Sequence, residues 1–304
     1  MSTYLTILGY NSAIPTVKSA PTAQFLEMEE RCFLIDCGEG TQVQLRKAKA
    51  KFSKINHIFI SHLHGDHVFG LPGLISSFRL LGRETPLYVY GPKGIKEMME
   101  TIFRITETHQ GFEVVFHELS SKKSEKVFED NRVEVFTIPL DHRIYCNGYL
   151  FKEKPKERHL NMQEISKYPE IEICDYHNLK RGKNIQLSDG YILKNENLTK
   201  PAEPSVSYAF CSDTRYLESI IPIIKNVDVL YHEATFLHDL KKMADYTGHT
   251  TALEAAKIAR KANVKKLILG HFSNRYNDLS VFLNEACEIF PETYLPEQLE
   301  AVKI

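Results

Sequence analysis

Short apolar runs alternate with amphipathic runs along most of the chain, and this pattern predicts strands and helices in turn. Apolar runs bounded by turn residues predict buried strands at residues 32–36, 55–61, 86–90, 133–138, 206–212, 227–231 and 264–269. Helical spacing predicts helices over residues 42–51, 74–81 and 95–103, and a capping box starting at Thr251 predicts one that runs through Ala262. Alternation of this kind is typical of a layered α/β protein, in which sites form outside the carboxyl ends of strands.

One stretch breaks the pattern, at about residues 151–204. Its apolar periodicity is weak, and it carries a charge run at 152–158 and a second basic group at 180–183. We therefore expect a single domain over residues 1–304 with an inserted, projecting segment at about 151–204. The basic residues of this segment that are candidates for neutralising phosphate are Lys152, Lys154, Lys156, Arg158, Lys180, Arg181 and Lys183.

Composition narrows the classes of partner. The net charge is −1, so any contact with nucleic acid must come from a local patch. The six cysteines form no CxxC pair, which favours reduced thiols and a cytoplasmic protein. No apolar stretch approaches the roughly 18 residues of a membrane span, and the amino terminus lacks the features of a signal peptide.

The densest candidate chemistry lies at residues 62–67, which read His-Leu-His-Gly-Asp-His. Imidazole nitrogens and carboxylate oxygens together suit Zn²⁺ and its divalent neighbours. The cluster supplies more ligands than one metal with an open position needs, so it indicates two metals, an arrangement used for hydrolysis.

Further candidate ligands stand where strands end. His62, His142, Asp213 and His271 each follow a predicted strand. One such residue alone is a weak signal, but four in one chain, together with the histidine cluster, predict a shared site between two sheets.

These residues lie in motifs that resemble the metallo-β-lactamase superfamily and, within it, the tRNase Z family. The superfamily match rests on His62-x-His64-x-Asp66-His67 followed by Gly70-Leu71-Pro72-Gly73-Leu74. The narrower match rests on residues 36–42, 211–215, 232–235, 248–251 and 270–276, which occur in family order. One departure is that the family's His-Ser-Thr loop reads His249-Thr250-Thr251 here.

The resemblance implies an α/β fold, the αββα four-layer sandwich of metallo-β-lactamases, with a projecting arm that forms an exosite. It also implies two Zn²⁺ ions per subunit, with Mn²⁺ as an alternative metal. One ion would take His62, His64 and His142, the other would take Asp66, His67 and His271, and Asp213 would bridge them.

The activity implied by the resemblance is a zinc-dependent endoribonuclease that removes the 3′ trailer from precursor tRNA. Metal-activated hydroxide would attack the phosphodiester and leave a tRNA 3′-hydroxyl and a 5′-phosphate trailer. In this interpretation Asp66 accepts a proton, His249 protonates the leaving oxygen or holds the phosphate, and Glu233 orients His249. The resemblance also implies a cytoplasmic homodimer that binds precursor tRNA through the arm, with no DNA or membrane partner.

Several of these residues could instead have a purely structural role. His249 could be an ordinary loop histidine, and Glu233 could make only a local hydrogen bond. Ser273, Arg275 and Tyr276 could bind the scissile phosphate or the 3′ nucleotides, or could equally order the loop after His271. The basic run at 152–158 could be a solvated surface.

Two other functions remain open. The first is another dinuclear-metal phosphodiesterase or small-molecule hydrolase of the same fold, such as a cyclic-phosphate diesterase or a lactonase, which would need the site but not the arm. The second is an inactive RNA-binding protein, which a missing ligand would indicate, and no ligand is missing from the sequence. A secreted β-lactamase is disfavoured by the bridging Asp213 and by the amino-terminal sequence.

Overall fold

The computed structural model describes residues 2–17, 19–108 and 111–304, which divide into two compact units. Residues 1–152 and 206–304 contribute to the larger unit, and residues 153–205 form the smaller one. Within the described residues, no helix is both long enough and apolar enough to cross a membrane.

The larger unit contains two seven-stranded sheets. In hydrogen-bonded order, the first sheet consists of β18 (Ala301–Lys303), β1 (Tyr4–Gly9), β2 (Ala23–Met28), β3 (Arg31–Ile35), β4 (Ile55–Phe59), β5 (Leu87–Pro92) and β6 (Val114–Leu119). The second sheet consists of β17 (Thr293–Tyr294), β16 (Lys266–Gly270), β15 (Val229–Glu233), β14 (Ser207–Cys211), β9 (Cys146–Glu153), β8 (Val133–Leu140) and β7 (Lys126–Glu129). Strands β3 to β6 are parallel to one another, as are β14 to β17.

Helices cover the outer face of each sheet. The helices beside the first sheet are α1 (Thr41–Lys47), α2 (Gly65–Val68), α3 (Leu71–Leu80) and α4 (Ile95–Ile105). The helices of the second half are α8 (Lys241–Thr247), α9 (Ala252–Ala262) and α10 (Ser280–Cys287). Short 3₁₀ helices occur at Phe52–Lys54, Glu218–Ile220 and His238–Leu240.

The alternation of side chains within strands explains why two sheets pack together. In β3, Phe33 and Ile35 lie in the core between the sheets, whereas Cys32 and Leu34 lie in the core under the helices of the first sheet. In β14, Phe210 likewise enters the central core and Cys211 the core on the outer side of the second sheet. Because both faces of these strands are buried, their sequences read as unbroken apolar runs. The four-layer αββα prediction is confirmed.

The element boundaries differ from the predictions at several places. Helix α1 ends at Lys47 instead of residue 51, and α3 begins at Leu71 and leaves Leu80 exposed. Strand β15 runs to Glu233, so His232 and Glu233 belong to the strand, where the sequence placed them after it. The predicted capping box is confirmed, with the Thr251 side chain accepting from the Glu254 amide at the start of α9.

The smaller unit is built from elements of two to five residues. They are β10 (His159–Leu160), α5 (Met162–Ile165), a 3₁₀ turn at Ile173–Asp175, α6 (Tyr176–Lys180), β11 (Ile185–Gln186), β12 (Ile192–Leu193), α7 (Asn195–Leu198) and β13 (Thr199–Lys200). Elements this short span less than two helical turns, which accounts for the weak periodicity. The unit nevertheless buries its own apolar cluster of Ile165, Ile171, Leu179, Leu193 and Leu198.

Candidate metal centre

Seven side chains that could hold a metal converge in the larger unit at the ends of five of its elements. The first ligand group is His62, His64 and His142, and the second ligand group is Asp66, His67 and His271. In each group the candidate ligand atoms lie within 4.8 Å of one another, and Asp213 joins the first group at the same distance limit.

The elements explain this convergence. His62 and His64 lie in the loop after β4, and Asp66 and His67 lie on the single turn of α2. His142, Asp213 and His271 follow β8, β14 and β16 within two residues. The carboxyl ends of strands from both sheets therefore deliver ligands to one place.

The distances between ring nitrogens fit a tetrahedral metal. His62 Nε2 and His64 Nδ1 are 3.0 Å apart, and His64 Nδ1 and His142 Nε2 are 3.3 Å apart. In the second group, the Nε2 atoms of His67 and His271 are 3.3 Å apart. Two nitrogens bound tetrahedrally at the zinc–nitrogen bond length would be separated by about 3.3 Å. The donor atoms of each group are therefore spaced so that they could share one divalent metal ion.

Asp213 lies between the two groups. Its Oδ2 is 3.6 Å from His62 Nε2, and its Oδ1 is 3.2 Å from His271 Nε2 and 3.5 Å from His67 Nε2. Among the described residues, Oδ1 is buried without a hydrogen-bond donor. A buried carboxylate oxygen that faces two imidazole nitrogens is well suited to a metal ligand, so the residues fit the divalent metal that the sequence implies.

The nitrogens facing away from the centre are held by neighbouring groups. His67 Nδ1 donates to Asp36 Oδ2 at 2.7 Å, and His142 Nδ1 donates to the Gly248 carbonyl at 2.8 Å. His62 Nδ1 lies 3.0 Å from the Ser61 hydroxyl, which in turn donates to Asp36. These contacts place the proton on Nδ1 and leave the inner Nε2 of each ring free to bind metal.

His271 is held by a chain of hydrogen bonds that ends at Glu233. The Thr235 hydroxyl donates to Glu233 Oε2 at 2.8 Å and accepts from His271 Nδ1 at 2.9 Å. Glu233 is fully buried, and the amides of Thr214, Thr235 and Thr250 donate to its carboxylate. Because these bonds stabilise the charged form, the carboxylate can remain ionised inside the protein.

His249 lies beside both Glu233 and the centre. Its Nδ1 is 3.0 Å from Glu233 Oε1 and 3.9 Å from Asp213 Oδ2. Burial acts to lower the pKa of His249, but the charges of Glu233 and Asp213 outweigh it and raise the pKa to about 9. The imidazole is thus protonated at neutral pH in the protein without metal.

Asp66 is fixed by a backbone donor from the amino-terminal loop. The Ala13 amide donates to Asp66 Oδ2 at 2.8 Å, and the same oxygen lies 3.4 Å from both His67 Nε2 and His271 Nε2. Burial opposes ionisation of Asp66, yet His67 and His271 hold its pKa below the ordinary range. Oδ1 is left as the oxygen that can act on substrate.

Two residues of the centre adopt backbone conformations that disfavour side chains. Asp36 and His271 have φ values of 56° and 58°, in the left-handed region. Strain of this kind costs on the order of 1 kcal/mol and is typical of functional sites. The glycine before His271 has a separate cause, because a Cβ on Gly270 would lie 1.9 Å from the Tyr231 hydroxyl.

The sequence alone does not indicate several of these supporting groups. Asp36 and Thr235 stand within the family motifs without a predicted role, and nothing in the sequence marks Ser61 or Ala13 as a support. For Asp36 a signal existed, because it directly follows strand β3 just as the ligands follow theirs. For Ala13 there was none, since the contact uses a backbone amide.

The predicted substrate-binding residues near the centre contact the protein itself. Arg275 Nε donates to the Ser273 hydroxyl at 3.1 Å, and its guanidinium lies 5.1 Å from the centroid of the Phe236 ring. Tyr276 accepts from the Leu237 amide at 3.2 Å. These contacts order the loop after His271.

The basic residues that the sequence predicts to contact phosphate differ in their surroundings. Lys152 belongs to the larger unit, with its Nζ 5.5 Å from the Phe136 ring, and Lys156 pairs with Glu153 at 2.8 Å. The amide of Arg158 donates to the carbonyl of Lys180 at 2.9 Å, which brings Arg158 close to the exposed Lys180 and Arg181. Lys154 is partly buried, and its carbonyl accepts from Ser205.

Comparison with known proteins gives a consistent likeness. Residues 3–286 match the family model described as Anti-Pycsar protein Apyc1. The chain is 45% identical over 300 residues to the protein named Ribonuclease Z of Bacteroides thetaiotaomicron, covering 99% of this chain and 95% of that protein. It is 46% identical over 294 residues to the Ribonuclease Z of Parabacteroides distasonis, covering 97% and 96%.

Solved structures agree with the fold. The short form of human tRNase Z aligns with a TM-score of 0.72 at 26% identity, covering 98% of each chain. The metallo-β-lactamase fold protein YhfI from Bacillus subtilis aligns with a TM-score of 0.70 at 17% identity over the whole of both chains. The second likeness bears on the fold alone.

Proposed function

Because this chain belongs to the ribonuclease Z proteins and, through residues 3–286, to the family described as Anti-Pycsar protein Apyc1, we propose that it is a metal-dependent endoribonuclease. It removes the 3′ trailer from precursor tRNA and leaves a 3′-hydroxyl on the tRNA and a 5′-phosphate on the trailer. The observation that carries the proposal is the convergence of seven candidate metal-binding side chains beside a histidine that Glu233 holds by its Nδ1.

The metal centre would hold two zinc ions. The first ligand group would hold one ion and the second ligand group the other, and Asp213, which lies between the groups, would contribute its carboxylate to the centre. When bound, such a pair supplies Lewis acidity toward a phosphoryl oxygen and lowers the pKa of water to about 7. Support comes from the nitrogen spacing near 3.3 Å in both groups and from the position of Asp213 between them.

Asp66 and His249 supply proton transfer on the two sides of the phosphodiester. Asp66 accepts the proton of the attacking water at Oδ1, since Oδ2 is held by the Ala13 amide. His249 donates a proton from Nε2 to the departing 3′-oxygen, because Glu233 holds its Nδ1. Glu233 is a positioning residue whose negative charge favours the protonated form of His249.

The partner is precursor tRNA, bound in part by the inserted unit. The exposed Lys180 and Arg181 beside Arg158 are the basic residues of that unit best placed to contact a phosphate backbone. Ser273 and Arg275 lie in the loop that follows ligand His271, where they can contact nucleotides near the cut. We include a homodimer and a cytoplasmic location in this proposal on the family resemblance, and the free cysteines agree with a reducing compartment.

The second candidate function is another phosphodiesterase or small-molecule hydrolase of the same fold. One observation favours it, because the family model that matches residues 3–286 is not described as a ribonuclease. The metal centre would be the same, and only the substrate would differ.

The test uses purified, zinc-loaded protein and a 3′-extended precursor tRNA, with the product ends mapped. We expect one cut beside the discriminator nucleotide, and we expect Asp66→Ala to abolish it. Absence of cutting together with turnover of bis(p-nitrophenyl) phosphate would reject the tRNA substrate in favour of the second candidate.

The role of His249 is tested by comparing leaving groups. His249→Ala should slow cleavage of precursor tRNA by about 10²–10⁴-fold. It should slow hydrolysis of bis(p-nitrophenyl) phosphate far less, because p-nitrophenolate departs without a proton. Equal losses on the two substrates, at unchanged metal content, would refute proton donation by His249.

A further inference from the structure

Three arginines lie close to the metal centre in the sequence, and they differ in what they contact. Arg215 binds Asp141 Oδ1 at 3.3 Å and the Asp245 carbonyl at 3.1 Å. Arg275 is held by Ser273 and by the Phe236 ring. Arg143 has no hydrogen bond or ion pair with any residue in the described ranges 2–17, 19–108 and 111–304, and its side chain is exposed. The acidic neighbour closest in sequence, Asp141, is already taken by Arg215.

The position of Arg143 is set by its neighbours in the centre. It directly follows ligand His142, and its Cγ would lie 3.5 Å from a Cβ placed on Gly248. Gly248 is the residue whose carbonyl accepts from His142, and it directly precedes His249. The stem of Arg143 thus packs across the segment that joins the first ligand group to His249.

We propose that Arg143 binds a backbone phosphate of the RNA strand next to the scissile phosphate, as an additional substrate-binding residue. The inference rests on the proposed ribonuclease function. An exposed guanidinium without a carboxylate partner presents a planar set of donors that matches two phosphate oxygens. In the proposed function the scissile phosphate is bound by the ligand groups and His249. Arg143 is not among the candidate ligands and lies beside Gly248. The Arg143 guanidinium can therefore contact a neighbouring phosphate of the same strand.

The experiment measures kcat/KM for precursor tRNA across a range of salt concentrations, with zinc-loaded Arg143→Gln, Arg143→Lys and wild-type proteins. Arg104→Gln is the matched control, because it removes an equally exposed arginine from helix α4, away from the centre. Each enzyme is also assayed on bis(p-nitrophenyl) phosphate, which has no neighbouring phosphate.

We expect Arg143→Gln to lower kcat/KM for precursor tRNA by about tenfold. The slope of log kcat/KM against log salt should become shallower by about 0.7–1, the contribution of one phosphate contact. Arg143→Lys should keep the wild-type slope and recover part of the activity. Arg104→Gln should match wild type, and the small diester should be hydrolysed equally by all four proteins.

Two results would overturn the assignment separately from the function. A wild-type slope in Arg143→Gln, with wild type cutting precursor tRNA normally, would remove Arg143 from the RNA contact alone. An equal loss on both substrates would place Arg143 at the reacting phosphate or in the structure of the centre, and would equally contradict a neighbouring phosphate. If wild type hydrolyses only the small diester, the tRNA function fails and the RNA contact fails with it.

Discussion

The two ligand groups of the metal centre are backed by different chemistry. In the first group the outward nitrogen of His142 meets the neutral Gly248 carbonyl, and that of His62 reaches the Asp36 carboxylate only through the Ser61 hydroxyl. In the second group the outward nitrogen of His67 meets the buried Asp36 carboxylate, and the hydrogen bonds of His271 lead through Thr235 to Glu233. Carboxylate partners make an imidazole a stronger ligand.

The pKa values follow the same division. Burial lowers the pKa of both His62 and His142 in the first group. Burial also acts on His67, but Asp213, Asp66 and Asp36 outweigh it and raise the pKa of His67 well above its ordinary value. The second group therefore attracts positive charge more strongly, and we expect it to hold its metal more tightly than the first group.

The largest effect should come from Asp213→Asn, because Asp213 is the only carboxylate that reaches both groups among the described candidate ligands. Loss of its charge should weaken both metals and reduce cleavage by more than the ~100-fold typical of losing an outer partner. Metal content after dialysis and the cleavage rate measure this. Asp141→Asn, which alters an exposed carboxylate at a similar strand end, is the control. A variant that loses one metal only would show that Asp213 is not shared.

The next effect tests the difference between the groups directly. Asp36→Asn removes the carboxylate behind His67 and should weaken metal binding at the second group by about 10–100-fold. Competition with a chelator should then show one strongly weakened metal and one less affected metal, because Asp36 contacts His67 directly and reaches His62 of the first group only through Ser61. Equal weakening of both metals would contradict the division.

A smaller effect should follow from Thr235→Val, which keeps the shape of the side chain and removes the hydroxyl between His271 and Glu233. We expect about a tenfold loss of affinity at the second group, the lower end of the range for an outer partner. Thr235→Ser keeps the hydroxyl and should restore most of the affinity. If Ser and Val behave alike in the same chelator titration, the hydrogen bonds do not matter.

The sequence indicated which candidate ligands converge better than it indicated the groups that support them, for a physical reason. The four layers follow from strands buried on both faces, such as β3, and each ligand stands at the end of such a strand or in the compact 62–67 cluster. Both features are local, because they depend only on residue type and spacing along the chain.

The supports depend on contacts between distant residues. Asp36 meets His67 from 31 positions away, and Ala13 meets Asp66 from 53 positions away through an amide that every residue but proline carries. The sequence also does not predict that Arg143 lacks an ion-pair partner, because the nearby Asp141 pairs with Arg215, a residue 74 positions away. Packing between the sheets determines which acceptor contacts each histidine. This pairing cannot be predicted from the sequence of a single strand.

The smallest effect should come from His57, a half-buried histidine that lies outside both ligand groups and whose Nδ1 has no acceptor among the described residues. It lies in β4, five residues before His62, stacked on Tyr88 with ring centroids 5.1 Å apart, and its buried Nδ1 has no partner among the described residues. Burial lowers the pKa of His57 to about 4, the opposite of what Asp36 does for His67.

The consequence is a stability that depends on pH. Because the pKa of His57 is near 6.5 in the unfolded chain and about 4 in the folded one, the unfolded chain binds the extra proton between these values. Its contribution is complete above pH 6.5 and is lost as the pH falls toward 4. Between pH 7.5 and 5.0 the free energy of unfolding should fall by about 2 kcal/mol more in wild type than in His57→Gln. Urea unfolding of both proteins in the presence of chelator measures this difference, and parallel pH profiles would mean that the imidazole reaches a partner in solution.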